Sequence, residues 1–182
     1  MRKIFNVKFI HDYIEEDTWK VLSEDWDFAW NEALLSKYQD RLDWDKISGN
    51  GAVLWTNSML EKFKNRINWQ ELSHSKQVSL FTMENLQKYA KLWDWTAISQ
   101  NSFIEWNFEM LEELRDYIDW EAFIQVYREA YLSNNLIFNF YSIGFIELFK
   151  DYLPLDKIKE TALWETIVEA NKIKLMKKVV DL

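Results

Sequence analysis

Residues 30–50 read WNEALLSKYQDRLDWDKISGN, and the pattern returns as WTNSMLEKFKNRINWQELS at 55–73, FTMENLQKYAKLWDWTAISQN at 81–101 and WNFEMLEELRDYIDWEAF at 106–123. Two series of aromatic residues run through these copies with the same step of 25 or 26 residues. The first ladder is Trp19, Trp44, Trp69, Trp95 and Trp120, and the second ladder is Phe5, Trp30, Trp55, Phe81 and Trp106. Two series in fixed phase indicate tandem structural repeats.

Each copy opens with an aromatic residue followed by a residue type that caps helices. Such side chains accept hydrogen bonds from the free N–H groups of a first helical turn. The aromatic residue can pack on the residue five positions later, as Trp30 can on Leu35, which is a hydrophobic staple. The sequence therefore predicts a helix A after each of the capping residues Asn31, Thr56, Thr82 and Asn107, and after Ser142 in a looser fifth copy.

A second capping residue stands immediately before each later Trp of the first ladder. It predicts a short helix B that ends near the turn-forming residues Gly49/Asn50, Ser75 and Asn101. The capping residues are Asp43, Asn68, Asp94 and Asp119. Two short helices cannot bury their apolar faces alone, so neighbouring copies must stack. The predicted fold is all-α, an α-solenoid of helix pairs with about 25 residues per repeat.

We expect no flexible linker between the copies, because the chain contains only three Gly and one Pro in 182 residues. We expect a single helical-repeat domain over residues 1–182. Residues 5–29 form a degenerate N-terminal cap repeat, 30–123 the regular repeats and 124–163 irregular repeats. Residues 164–182 form a C-terminal capping helix. The repeat frame is lost after Phe123, which suggests that helix B of the fourth copy is extended.

The net charge of −8 excludes nucleic acid as the main partner, because binding to phosphates requires a basic surface. Absence of cysteine excludes disulfides, thiolate metal sites and cysteine nucleophiles. No apolar run at the N-terminus has the length of a signal peptide or a membrane span, so we expect a cytoplasmic protein that does not bind membranes. No phosphate-binding glycine motif is present, and no cofactor is predicted.

The consensus WTxxLLxKYxDxIDWxxLSxN resembles the Trp-rich tandem helical repeats of uncharacterised proteins from bacteria and large DNA viruses. The resemblance covers roughly residues 5–123. It implies a helical repeat fold and a binding role, and it carries over no catalytic residue.

Candidate binding residues are those that repeat stacking does not explain. Trp26 departs from the repeat, because its frame position holds Gly51 and Ser102 in later copies. A strip of cations on successive helices A comprises Lys62, Lys64, Arg66, Lys88, Lys91 and Arg115. It could attract an anion or an acidic peptide, although a solvated face is the simpler interpretation. The segment after the fourth copy adds Tyr127, Arg128 and Tyr131, residue types common at binding hot spots.

The histidines give little support for a metal or for general-base chemistry. His11 and His74 lie far apart in sequence and belong to no metal-binding motif. His74 is kept only as a polar residue that could contribute to binding.

Two functions remain open at this stage. The first is a non-enzymatic module that binds another protein through a solenoid face. The alternative is a viral or phage-type protein that binds or sequesters a small anionic ligand such as a nucleotide between aromatic and basic residues.

Overall fold

The computed structural model describes the backbone of residues 7–126 and 143–180, and the side chains of 11–126 and 144–180. All regular structure within these ranges is helical, as predicted, and no β-strand occurs in them. The α-helices are α1 (Val7–Glu24), α2 (Glu32–Tyr38), α3 (Trp44–Gly49), α4 (Asn57–Phe63), α5 (Trp69–Ser73), α6 (Met83–Lys88), α7 (Trp95–Gln100), α8 (Phe108–Leu114), α9 (Trp120–Gln125), α10 (Ile143–Phe149) and α11 (Ala162–Val180), with 3₁₀ helices at Val78–Leu80 and Ile158–Glu160.

The chain forms two compact units, Met1–Trp93 and Asp94–Leu182. In the first unit α3 contacts both α1 and α5, and in the second α9 contacts both α7 and α11. Within each unit, therefore, the B helices of consecutive copies are neighbours in space. The solenoid and the single domain stay predictions. None of the helices described here has the length and apolar character needed to cross a bilayer.

The predicted caps are confirmed in every regular copy. The side chains of Asn31, Thr56, Thr82 and Asn107 each accept a hydrogen bond from the backbone N–H three residues later. Those of Asp43, Asn68, Asp94 and Asp119 do the same at the start of helix B, two or three residues later. These bonds satisfy donors that the first helical turn leaves without an internal partner. Ser142 lies outside the described residues.

Helix B stops in the same way in three copies. After α3, α7 and α9 the next residue is extended, with ψ of 113° at Asn50, 107° at Asn101 and 116° at Val126, and its N–H bonds to the carbonyl three residues back. The prediction of an extended helix B in the fourth copy is wrong. The buried Phe123 keeps α9 in register with α3 and α7, so the break in the period comes after the helix.

The first ladder links helices within a copy and between copies. The indole Nε1 of Trp44, Trp69 and Trp120 donates to the carbonyl five residues earlier, at 2.8, 2.9 and 2.9 Å. Each accepting residue is the C-cap of the preceding helix A. The same rings pack on an aromatic residue of the next helix A, with centroids 5.1 Å apart for Trp44–Phe63 and 4.9 Å for Trp69–Tyr89.

The second ladder is buried and acts by packing. Trp30 and Trp55 are 5% and 4% exposed, and their Nε1 atoms have no hydrogen-bond partner within the described part of the chain. A phenylalanine can therefore replace this tryptophan without losing a hydrogen bond, which explains Phe81 in the third copy. In the first ladder Trp44, Trp69 and Trp120 donate through the indole N–H, so a phenylalanine at these positions would lose a hydrogen bond.

A buried serine in helix B connects consecutive copies. The Oγ of Ser48 donates to the carbonyl of Trp44 at 2.6 Å and accepts the backbone N–H of Asn68 at 2.9 Å. Ser23 makes the same pair of bonds with Trp19 and Asp43. In the structure they bind the cap residue of the next copy.

The degenerate first copy differs from the expected helix pair. Thr18 occupies the capping position, but its hydroxyl donates to the carbonyl of Ile14 at 2.7 Å, and α1 continues through it. Helices A and B are therefore fused in one helix. At the other end α11 begins at Ala162, and its exposed apolar residues include Ile173 and Val179.

The serine bridge gives the first testable prediction. Ser48→Ala should lower the free energy of unfolding by about 1–3 kcal/mol, because the N–H of Asn68 would be left buried without its acceptor. Urea denaturation measures this change, and Ser102→Ala, at an exposed turn residue, is the matched control. Equal midpoints for the two variants would show that the bridge contributes nothing.

The first ladder gives the second prediction. Trp69 is 8% exposed and its ring contacts both Tyr89 and Trp93, so Trp69→Ala should cost about 3–5 kcal/mol. Trp26→Ala, at 67% exposure, should cost less than about 0.5 kcal/mol. Circular dichroism during urea unfolding tests both, and a loss below about 1 kcal/mol at Trp69 would contradict the packing role.

Candidate functional site

The predicted cationic strip is largely paired with carboxylates from the preceding copy. In the first unit Lys62 pairs with Glu32 at 3.1 Å and Lys88 with Glu61 at 3.0 Å. Arg66 donates to the carbonyl of Gln39 at 3.0 Å and pairs with Asp40 at 2.5 Å. These pairs neutralise charges that the anion-site hypothesis requires. Arg115 is an exposed residue of the second unit.

Glu61 has the most strongly perturbed environment on this face. Its carboxylate accepts hydrogen bonds from Lys64 at 2.9 Å and from the Tyr89 hydroxyl at 3.1 Å, and it pairs with Lys88. The bonds from Lys64, Lys88 and Tyr89 lower the pKa of Glu61 from its usual 4.5 to about 2. Hydrogen bonds that favour the charged form have this effect. The cluster therefore holds the Glu61 carboxylate ionised, and its polar groups bind one another.

The remaining predicted residues are His74 and three residues that follow the fourth copy. His74 is exposed at the end of α5, where its backbone N–H bonds to the carbonyls of Glu71 and Leu72. Tyr127, Arg128 and Tyr131 lie outside the described residues. Over the ranges that the structure describes, no three His, Asp or Glu side chains converge as a metal site would require.

Trp26 is exposed, as a hot-spot residue would be, and it stands on a defined support. A Cβ atom added to Gly51 would lie 3.7 Å from Cζ3 and 3.8 Å from Cη2 of the indole. The ring therefore rests on the backbone of the next copy's turn, and a large side chain at 51 would displace it. A small residue at position 51 leaves room for the ring, because a Cβ atom there would make ordinary van der Waals contact with it.

The backbone around Trp26 is fixed by two sets of hydrogen bonds. The buried Asn50 donates through Nδ2 to the carbonyls of Ser23 and Asp25, both at 3.0 Å. The N–H of Asp27 donates to the Asp25 carboxylate at 2.8 Å. The turn that presents the indole is thus tied to the end of α3, and the ring needs little ordering before it meets a ligand.

A hollow of about 280 Å³ opens beside the indole. Besides Asn50, its lining consists of Glu24, Trp26, Asp45, Lys46, Gly49 and Glu71. The lining carries three carboxylates and one ammonium group. A Cβ at Gly49 would lie 3.2 Å from Oε2 of Glu71, so this glycine gives the carboxylate its place.

Lys46 reports the electrostatic character of the hollow. Its Nζ lies 3.0 Å from the Glu24 carboxylate. The hydrogen bond that the Lys46 ammonium donates to Glu24 raises the pKa of Lys46, and the charges of Glu24, Asp43 and Glu71 act in the same direction. An amine placed here is therefore held in its protonated form.

Sequence reasoning identified Trp26 and missed the carboxylates around it. Glu24, Asp45 and Glu71 come from three successive copies, and nothing in their local sequence separates them from other surface carboxylates. The available signal was Gly49 and Gly51, two of the three glycines in the chain, which are adjacent to the hollow.

Comparison of the chain with protein-family models, with curated proteins and with solved structures gives no match.

The Glu61 cluster gives a pH-dependent prediction. A folded-state pKa below the usual value stabilises the protein above about pH 4.5, and this stabilisation disappears as the pH falls towards 2. Glu61→Gln should therefore lower the urea midpoint at neutral pH, and the difference from the parent protein should shrink between those two pH values.

Glu105→Gln, which removes an exposed carboxylate of a loop, is the control. A difference between Glu61→Gln and the parent protein that stays constant from pH 7 to acid would contradict the assigned cause.

Proposed function

We propose that this chain is a non-enzymatic module that binds another protein, with Trp26 at the centre of the contact surface. The observation that carries the proposal is an indole 67% exposed to solvent on a turn held by four hydrogen-bonding and packing contacts, those of Asn50, Asp25, Asp27 and Gly51. Tryptophan is enriched among the few residues that dominate binding energy at protein interfaces.

The fixed position of the indole supports a binding role for Trp26 and argues against exposure without a function. An exposed tryptophan on a mobile turn would lose conformational entropy on binding. Here Asn50 bonds two carbonyls of the turn, and Gly51 supports the ring. Part of the entropy cost of ordering the turn is therefore met when the protein folds. The aromatic surface remains available for a partner.

A protein fits the observations better than a nucleotide does. The hollow of about 280 Å³ lies just below the range of about 300–1,000 Å³ that is usual for small-molecule sites. Its lining is acidic, which opposes a phosphate. Among the cations that suggested an anionic ligand, Lys62 is paired with Glu32 and Lys88 with Glu61.

The proposal includes two expectations from the sequence. Membership of the Trp-rich tandem helical repeats is supported by the caps of the four regular copies and by the bonds of Ser23, Ser48 and Ser99 to the next copy. A cytoplasmic location agrees with a chain that lacks cysteine.

Capture from a lysate of the native host, using the full chain as bait, tests the proposal. Mass spectrometry of proteins and of small molecules should show one protein recovered in stoichiometric amount by the parent chain and by Leu54→Ala. Leu54 is an exposed apolar residue in the same unit, so it controls for loss of apolar surface. Trp26→Ala should lose most of the captured protein.

Two results would contradict the proposal. A stoichiometric nucleotide with no protein would favour the small-molecule alternative. Equal capture by Trp26→Ala and the parent chain would show that the contact surface lies elsewhere.

A further inference from the structure

The hollow beside Trp26 combines two features that recognise the same chemical group. An aromatic ring attracts a cation placed over its face, and carboxylates attract it at the edge. The lining includes the indole of Trp26 together with the carboxylates of Asp45 on α3 and Glu71 on α5. Neither feature alone defines a ligand, but a cation satisfies both.

We infer that this hollow binds the side chain of an arginine presented by a basic segment of a partner protein. The inference deepens the proposed function and rests on it, because it names the chemistry of the group that the module recognises. The planar guanidinium can lie along the flat indole while its N–H groups donate to a carboxylate, which an ammonium group cannot do in the same way.

Charge complementarity supports a basic partner. The chain carries a formal charge of −8, and the hollow adds Glu24, Asp45 and Glu71 against the single ammonium of Lys46. Asp25 and Asp27 flank the indole in sequence. The surface around the ring is therefore negative, and a basic segment would be attracted before contact is made.

Lys46 pairs with one of the three carboxylates of the hollow, which leaves another for the incoming guanidinium. Its ammonium is bonded to Glu24 at 3.0 Å, while the Asp45 carboxylate accepts the side-chain amide of Asn68 at 2.8 Å. Glu71 Oε2 lies close to Gly49, at 3.2 Å from the position that a Cβ atom would take there. Glu71 is thus the carboxylate placed to accept the guanidinium.

The size of the hollow agrees with one side chain. About 280 Å³ holds a long side chain but not a folded element, so the rest of the segment must lie across the exposed surface. This explains how a small hollow can contribute to a larger interface, in which a few anchors supply much of the energy.

The experiment uses three peptides that differ at one position, acetyl-Gly-Ser-Xaa-Gly-Ser-amide with Xaa as arginine, lysine or citrulline. Citrulline keeps the shape of arginine without its charge. Binding to the ¹⁵N-labelled full chain is followed by nuclear magnetic resonance, with the Trp26 indole N–H assigned from its loss in Trp26→Ala. The arginine peptide should shift this signal and should bind about tenfold more tightly than the citrulline peptide.

Variants locate the interaction. Glu71→Gln and Trp26→Ala should each weaken binding of the arginine peptide severalfold. Glu105→Gln removes the same charge from an exposed site in the other unit, and Leu54→Ala removes exposed apolar surface, so both should bind as the parent chain does. All variants are checked for unchanged circular dichroism.

Any of four outcomes would overturn the inference. Equal affinities for arginine and citrulline would show that charge is not recognised, and equal affinities for arginine and lysine would show that the guanidinium is not. An equal effect of Glu105→Gln and Glu71→Gln would reduce the binding to general attraction. If the peptides fail while capture of a protein still depends on Trp26, this inference is wrong and the proposed function stands.

Discussion

The structure depends on satisfying the ends of very short helices. The A and B helices of the regular copies are five to seven residues long, so their unpaired terminal N–H and carbonyl groups rival their internal hydrogen bonds in number. Such helices are not stable by themselves in water. Side chains therefore complete them: Asn or Thr at the start of helix A, Asp or Asn at the start of helix B, and a tryptophan N–H at the end of helix A.

The same side chains also hold the copies together. Trp69 bonds the end of α4 through its indole and packs on Tyr89 of the next copy. Ser48 bonds its own helix and the N–H of the cap residue Asn68. Because one residue performs both tasks, a helix can be completed only when its neighbour is in place. Stability of each copy is therefore tied to nearest neighbours, as in other repeat arrays.

The candidate site lies where the repeat pattern is interrupted. Trp26 stands at a frame position that a later copy fills with Gly51, and in the structure these two residues meet. The glycine of one copy provides the support for the tryptophan of the copy before it. The next three copies hold Gly51, Lys76 and Ser102 at this frame position, so among these copies the tryptophan is a feature of the first junction.

The sequence by itself determined the helical fold, the positions of the caps and the two ladders, because these follow from local hydrogen bonding and a constant period. It also marked Trp26 as an exception. Only the tertiary structure decided what this exception could bind. Glu24, Asp45 and Glu71 are separated by 21 and 26 residues, and stacking brings them to one hollow. It likewise paired Lys62 and Lys88 with carboxylates of preceding copies, and it gave Ser48 its partner. Through-space contacts between copies have no local sequence signal, which is why the charges could be listed from the sequence but their net effect could not.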